Sequence, residues 1–266
     1  MPTIASLHVY PIKSCRGLDL TAVRFDQLGP LYDRRFMLVD DQGVYLSQRT
    51  LPRLALITPR LGPTALMVSA PNMPPLKVAM SQRDARRIEV QVWEHRGMAE
   101  DAGESAAAWF SSFLERPCRL VRWAEGQLRR VDPKYARTEA ATAFNDGYPV
   151  LLMSEASVTD LNKRLKQPVP MNRFRPNLVV RDLEPYAEDS WRKIRIGEVE
   201  LDVVKPCSRC VTTTVDQLTG VAGSEPLVTL ASYRKDGNKV PFGQNCVHLN
   251  LGSIRAGDPV EVLESA

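Results

Sequence analysis

The chain has 266 residues, 44% hydrophobic and 25% charged, which describes an ordinary globular protein able to bury about three quarters of its unfolded surface in one large or two modest domains. Its 35 basic and 31 acidic side chains leave a formal charge of +4, too small an excess to argue for nucleic acid or a membrane as partner, though compatible with a local anionic ligand. The five cysteines, with no basic and apolar leader pattern at the amino terminus and no run of 18 apolar residues, imply reduced thiols and a cytoplasmic protein.

The first third reads as β-structure. Strands are expected over Ile4 to Tyr10, Leu20 to Asp26 and Arg35 to Asp40, with a hairpin turn at Asp41-Gln42-Gly43. Further short runs follow at Val44 to Ser47, Ala55 to Pro59, Ala65 to Ser69, Lys77 to Met80 and Ile88 to Trp93. Their spacing of roughly ten residues, broken by Gly and Pro, predicts a barrel or sandwich rather than βαβ units.

The pattern then changes. Asp101 to Leu114 carries Ala107, Phe110, Phe113 and Leu114 at helical spacing and predicts a helix. After a strand at Leu120 to Trp123, the segment 124–145, with Arg129, Arg130, Lys134 and Arg137, lacks apolar periodicity and predicts a long loop. Tyr148 to Met153 predicts a strand feeding a helix capped by Ser154 and running to about Lys166. Such a strand-to-helix junction offers free N–H groups and hydroxyls to an anion. Strands at Leu178 to Val180, Val199 to Val204 and Val260 to Leu263 complete a mainly β fold with some helix (α+β), divided into units 1–95 and 96–266.

Chemistry concentrates in Lys205-Pro206-Cys207-Ser208-Arg209-Cys210, ahead of the β-branched run Val211 to Val215, which predicts a buried strand. Cationic neighbours favour a thiolate, as nucleophile or soft-metal ligand. The C-x-x-C spacing equally suits half of a zinc site, a dithiol couple or two small buried residues. Cys246 and His248 are the obvious further zinc ligands, although C-x-H is an unusual zinc spacing. Lys13 with Ser14, and Asp33-Arg34-Arg35, suit an anion. No P-loop and no G-x-G-x-x-G fingerprint occurs.

Several motifs agree in their order: Tyr10-Pro11-Ile12-Lys13-Ser14-Cys15, Asp33-Arg34-Arg35-Phe36, Ser154-Glu155-Ala156-Ser157, Phe174-Arg175-Pro176-Asn177, Cys207-Ser208-Arg209-Cys210 through Asp216, and Phe242-Gly243-Gln244-Asn245. Together they resemble MOSC-domain proteins that carry an N-terminal MOSC β-barrel domain, in particular the amidoxime-reducing components and their bacterial homologues. The likeness covers nearly the whole chain.

The resemblance implies two β-barrel-like units with a few helices, and a molybdenum-cofactor-binding oxidoreductase that reduces N-hydroxylated compounds such as hydroxylamines and amidoximes. Carried over residue by residue, it makes Cys210 the metal ligand and Cys207 a neighbour. It places Lys13, Ser14, Arg35, Ser154, Ser157, Arg175 and Asn177 around the cofactor, and Asp146 beside the metal as a proton relay. Cys210, Asp146 and Arg175 become the catalytic set. The C-x4-C-x2-C pattern of an iron–sulfur domain is lacking, so the expected electron source is a separate ferredoxin-, cytochrome- or flavoprotein-type partner. Three alternatives stand beside this: sulfur transfer through a Cys210 persulfide, a molybdenum-cofactor carrier, and a zinc-stabilised binding module.

Overall fold

A computed structural model describes residues 1–81, 84–136 and 139–266; Arg137 of the expected loop lies outside them. One group of elements is built on the sheet Phe36–Val39, Arg119–Trp123, His95–Asp101 and Arg87–Val92, in that spatial order and antiparallel throughout. A meander of Thr58–Leu61, Ala65–Ser69 and Leu76–Ala79 stands beside it. Helix α1 (Glu104–Leu114) inserts Phe110 and Phe113 among Phe36, Leu38, Leu54 and Leu66. Its apolar face therefore belongs to the same core as the first strands.

The larger group is an eight-stranded sheet in the order Val260–Ser265, Trp191–Ile196, Val199–Ser208, Pro241–His248, Val150–Ser154, Leu178–Arg181, Thr3–Val9 and Leu18–Leu20. Val150–Ser154 and Leu178–Arg181 pair in parallel. A parallel pair needs a crossover, and α2 (Glu155–Arg164) supplies it, capped by Ser154 Oγ accepting from the Ser157 N–H. Helix α3 (Leu227–Arg234) adds Leu230 to the core cluster of Met153, Leu161, Phe174 and Phe242. The first strand pairs with Leu178–Arg181, so the amino terminus is woven into the sheet of the carboxy-terminal half.

Most expected elements form, with instructive departures. Residues 44–47 make isolated bridges only, Val39 to Tyr45 and Val44 to Gln91. Ala55 lies in a 3-10 turn, Pro52–Leu56, whose proline sits at the first helical positions, where its missing N–H costs nothing. The strand His95–Asp101 goes unnoticed in the sequence because pairing on both sides, rather than its own alternation, holds it.

The β-branched run after Cys210 is not a strand. Val211–Thr214 is a 3-10 turn: Thr213 Oγ1 donates to Cys210 O at 2.9 Å and Thr214 Oγ1 to Val211 O at 2.8 Å. These side-chain bonds to the backbone compete with ladder pairing. The extended strand thus stops at Ser208 and leaves Cys210 at the mouth of a turn.

Candidate functional site

Where the end of Val199–Ser208 faces the first sheet, a cleft of about 760 Å³ opens, lined from both groups of elements. That volume suits a sizeable organic ligand. Lys13, Ser14, Asp146, Arg175, Asn177 and Cys210 all line it.

Lys13 follows the exit of strand Thr3–Val9, where its N–H donates to Phe36 O at 2.8 Å and pins the chain to the other sheet. Its ammonium is nearly buried and donates to Phe144 O at 2.8 Å and to Asp146 Oδ1. Burial lowers its pKa to about 8 although Asp146 opposes the shift. Crowding by its neighbours would raise the Asp146 carboxyl, although 58% of the side chain is exposed, but Lys13 and then Arg49 outweigh it and hold it well below the usual carboxylate range.

Arg175 is equally constrained. It adopts a left-handed conformation, φ 58°, directly before Pro176, a strained placement for a side-chain-bearing residue. Its guanidinium lies 4.2 Å from the centre of the Tyr10 ring, and Nη1 donates to Cys15 O at 2.6 Å. Burial lowers it to about 10. Ser14 at φ 65° and Arg34 at φ 47° share the left-handed region at the same cleft.

Asp33 organises the floor. It is buried, accepts from the Tyr10 N–H, Asn145 Nδ2 and Asn177 Nδ2, and pairs with Arg34 at 2.6 Å. One carboxylate thereby fixes side chains from both halves of the chain.

At the far wall, Cys210 Sγ lies 3.5 Å from Thr212 Oγ1. Burial acts against its thiolate, but Thr212, Arg49 and Arg209 outweigh burial and lower its pKa. Burial pushes Cys15 up to about 12 and raises Cys118 and Cys246. Arg209 donates to Cys207 Sγ at 3.1 Å and to Phe174 O at 2.6 Å, so Cys207 is a partner of Arg209 within the wall.

Three expected site residues are not brought to the cleft. Arg35 turns away and pairs with Asp26 at 2.6 Å, while its neighbour Arg34 occupies the cleft. Ser154 and Ser157 are fully buried, and Ser157 Oγ donates to Glu188 Oε1 at 2.7 Å, with Ser154 Oγ 3.1 Å from the same oxygen. The acceptor that these hydroxyls meet is the carboxyl of Glu188, whose pKa burial raises. The zinc grouping does not assemble: Cys246 is buried in the core of the large sheet and His248 packs against Phe25. Among the described residues no group of three or more His, Cys, Asp or Glu is placed to hold a metal.

Sequence reasoning missed Arg49, Trp93 and Asn145, which line the cleft without any local motif. Lys205 was legible beside the thiols, and it lies over the Tyr135 ring at 4.1 Å and the Tyr148 ring at 5.1 Å.

Fold and site together define a class: a mainly β protein whose two sheet systems share a cationic cleft ending in an activated thiol. Residues 1–117 match the MOSC N-terminal beta barrel domain, and residues 139–261 match the MOSC domain. The chain is 38% identical to mitochondrial amidoxime-reducing component 1 of Mus musculus, over 98% of this chain and 82% of that one. It is 37% identical to the Homo sapiens protein of the same name, over 98% and 83%, and 36% identical to mitochondrial amidoxime reducing component 2 of Rattus norvegicus, over 97% and 82%. The chain belongs to the MOSC-domain family with the N-terminal β-barrel domain, among relatives that are amidoxime-reducing components. Among the described residues no helix is long and apolar enough to cross a membrane.

Proposed function

We propose that this protein is a molybdenum-cofactor-dependent reductase of N-hydroxylated compounds, receiving electrons from a separate electron-transfer protein. The observation that carries the reading is a thiol of lowered pKa at one end of a large cleft whose remaining walls are cationic. The names of the relatives supply the substrate class.

The residues fit such a cofactor. Its phosphate and its dithiolene are anionic, and Lys13, Arg34, Arg49, Arg175, Lys205 and Arg209 line the cleft, with Asp146 the one carboxylate among the described lining residues and Asp33 beneath it paired to Arg34. Arg175 Nη2 and Arg209 Nε are buried with no hydrogen-bond partner in the protein, and such nitrogens call for an acceptor. Cys210 would hold the metal, a soft thiolate for a soft site. Lys13, Ser14, Arg34 and Arg175 would hold the phosphate and pterin, while Asn177, whose buried amide already donates to His8 O and Asp33 and accepts from Arg34 and the Leu151 N–H, would brace them from behind. The bound cofactor would supply the two-electron redox chemistry.

Reduction of an amidoxime to an amidine consumes two electrons and two protons, breaks the N–O bond and releases water. Asp146 is held ionised, so at neutral pH the proton of the Lys13–Asp146 pair resides on Lys13 Nζ. As an ionised carboxylate, Asp146 would accept a substrate N–H and relay protons to the reacting N–O group, taking each up from solvent or from Lys13 and passing it on. The left-handed, ring-stacked Arg175 fixes the floor against which substrate and cofactor would be aligned.

Reduced methyl viologen supplies electrons without any assumption about the partner. With it, the purified holoenzyme is expected to convert benzamidoxime to benzamidine, and Cys210→Ser to lose at least about a hundredfold in rate. Turnover undiminished in Cys210→Ser would refute the role given to this thiol.

A further inference from the structure

We infer that Trp93 and Asp146 form a recognition face at the mouth of the cleft that selects flat, π-conjugated amidoximes over N-hydroxylated compounds without a π face. This deepens the reductase reading and rests on it.

Trp93 occupies the turn between Arg87–Val92 and His95–Asp101 in a left-handed conformation, φ 55°, a region that bulky residues rarely enter. Three contacts hold the indole there. Its ring lies 5.5 Å from that of Tyr45, Arg49 stacks 4.6 Å from its centre, and Nε1 donates to Asp146 Oδ1 at 3.2 Å. With these neighbours in place Trp93 is still 41% exposed, whereas Trp109, Trp123 and Trp191 are at most 8% exposed. A fixed ring that keeps this much open surface on a ligand-sized cleft, outside the part that Arg49 covers, offers a stacking platform.

Asp146 supplies the polar half. A carboxylate has about four acceptor positions. Oδ1 receives Lys13 and Trp93, and Oδ2 receives Arg49. One position on Oδ2 remains, and 58% of the side chain is accessible. An amidoxime carries its NH₂ donors in the plane of its conjugated system, so one donor can reach Oδ2 while the plane lies on Trp93. Arg49 joins this face to the metal end, because its charge acts on both Asp146 and Cys210. Hydroxylamine can use the carboxylate but has nothing to stack.

The test compares benzamidoxime with hydroxylamine in holoenzyme of measured molybdenum content. The ratio of their kcat/KM values is expected to fall at least about tenfold in Trp93→Ala and to return to within about threefold of wild type in Trp93→Phe. An unchanged ratio in Trp93→Ala overturns the inference. A measurement on the wild type alone guards against a misfolded variant. Benzamidine is expected to shield the exposed indole from acrylamide quenching, and methylamine at equal concentration is not. Equal shielding by both, or by neither, contradicts the stacking face. If the wild type reduces no N-hydroxylated compound, the reductase reading fails, while the shielding result still reports on Trp93.

Discussion

Lys13 and Asp146 sit in contact, yet burial and charge pull on them in opposite senses. For Lys13 burial prevails and brings it to about 8; an unfolded lysine titrates near 10.4. Between these values the unfolded chain binds more protons than the folded one. This group's contribution to stability therefore rises with pH across that window, and its penalty is complete below about pH 8. Urea unfolding at pH 7 and pH 9.5 should show wild type gaining on Lys13→Met as pH rises. Wild type losing ground to Lys13→Met as pH rises, or no change between the two, would mean that the ammonium is not desolvated. The sequence marks Lys13 as an anion-binding candidate because it stands beside Ser14 at a strand exit. It does not reveal Arg49 or Trp93, whose roles come from side chains converging across the fold. Nor does it separate Arg34 from Arg35: the left-handed turn at Arg34 decides which of two adjacent guanidinium groups enters the cleft.

At the scale of elements, the α2 start illustrates what local pattern reveals and what it hides. Ser154 as N-cap was readable from its position after an apolar run, and the cap is made. The destination of the hydroxyls was not, because Glu188 arrives from 31 residues beyond Ser157. Ser154→Ala is accordingly expected to cost about 1 kcal/mol of stability and to leave bound molybdenum and pterin unchanged. Loss of either at intact fold would return Ser154 to the cofactor site. The Val211–Thr214 turn teaches the same point. Propensity argued for a strand, but threonine hydroxyls bonding back to the chain tip the balance toward a tight turn. That turn is what presents Cys210 to the cleft rather than to a neighbouring strand.

Across the whole molecule, the site exists only because the two sheet systems meet. The strand Thr3–Val9 lies in the large sheet, and the residues just after it reach over to Phe36. Asp33 ties Asn145 and Asn177 to the same point. The mainly β architecture was legible from short, evenly spaced apolar runs, because alternation is a local property. The interleaving was not, because the pairing of residues 3–9 with 178–181 leaves no local trace.

The central claim is that one cleft, built by both sheet systems, holds the cofactor with Cys210 on its metal. Its most direct test is the molybdenum and pterin content per chain of protein purified from a cofactor-competent host, measured for wild type, Cys210→Ser and the double variant Lys13→Ala/Arg34→Ala, with circular dichroism to verify the fold. The account predicts about one molybdenum and one pterin per wild-type chain, loss of molybdenum in Cys210→Ser, and loss of both in the double variant. Full molybdenum occupancy in either variant, or zinc in place of molybdenum in the wild type, would contradict it.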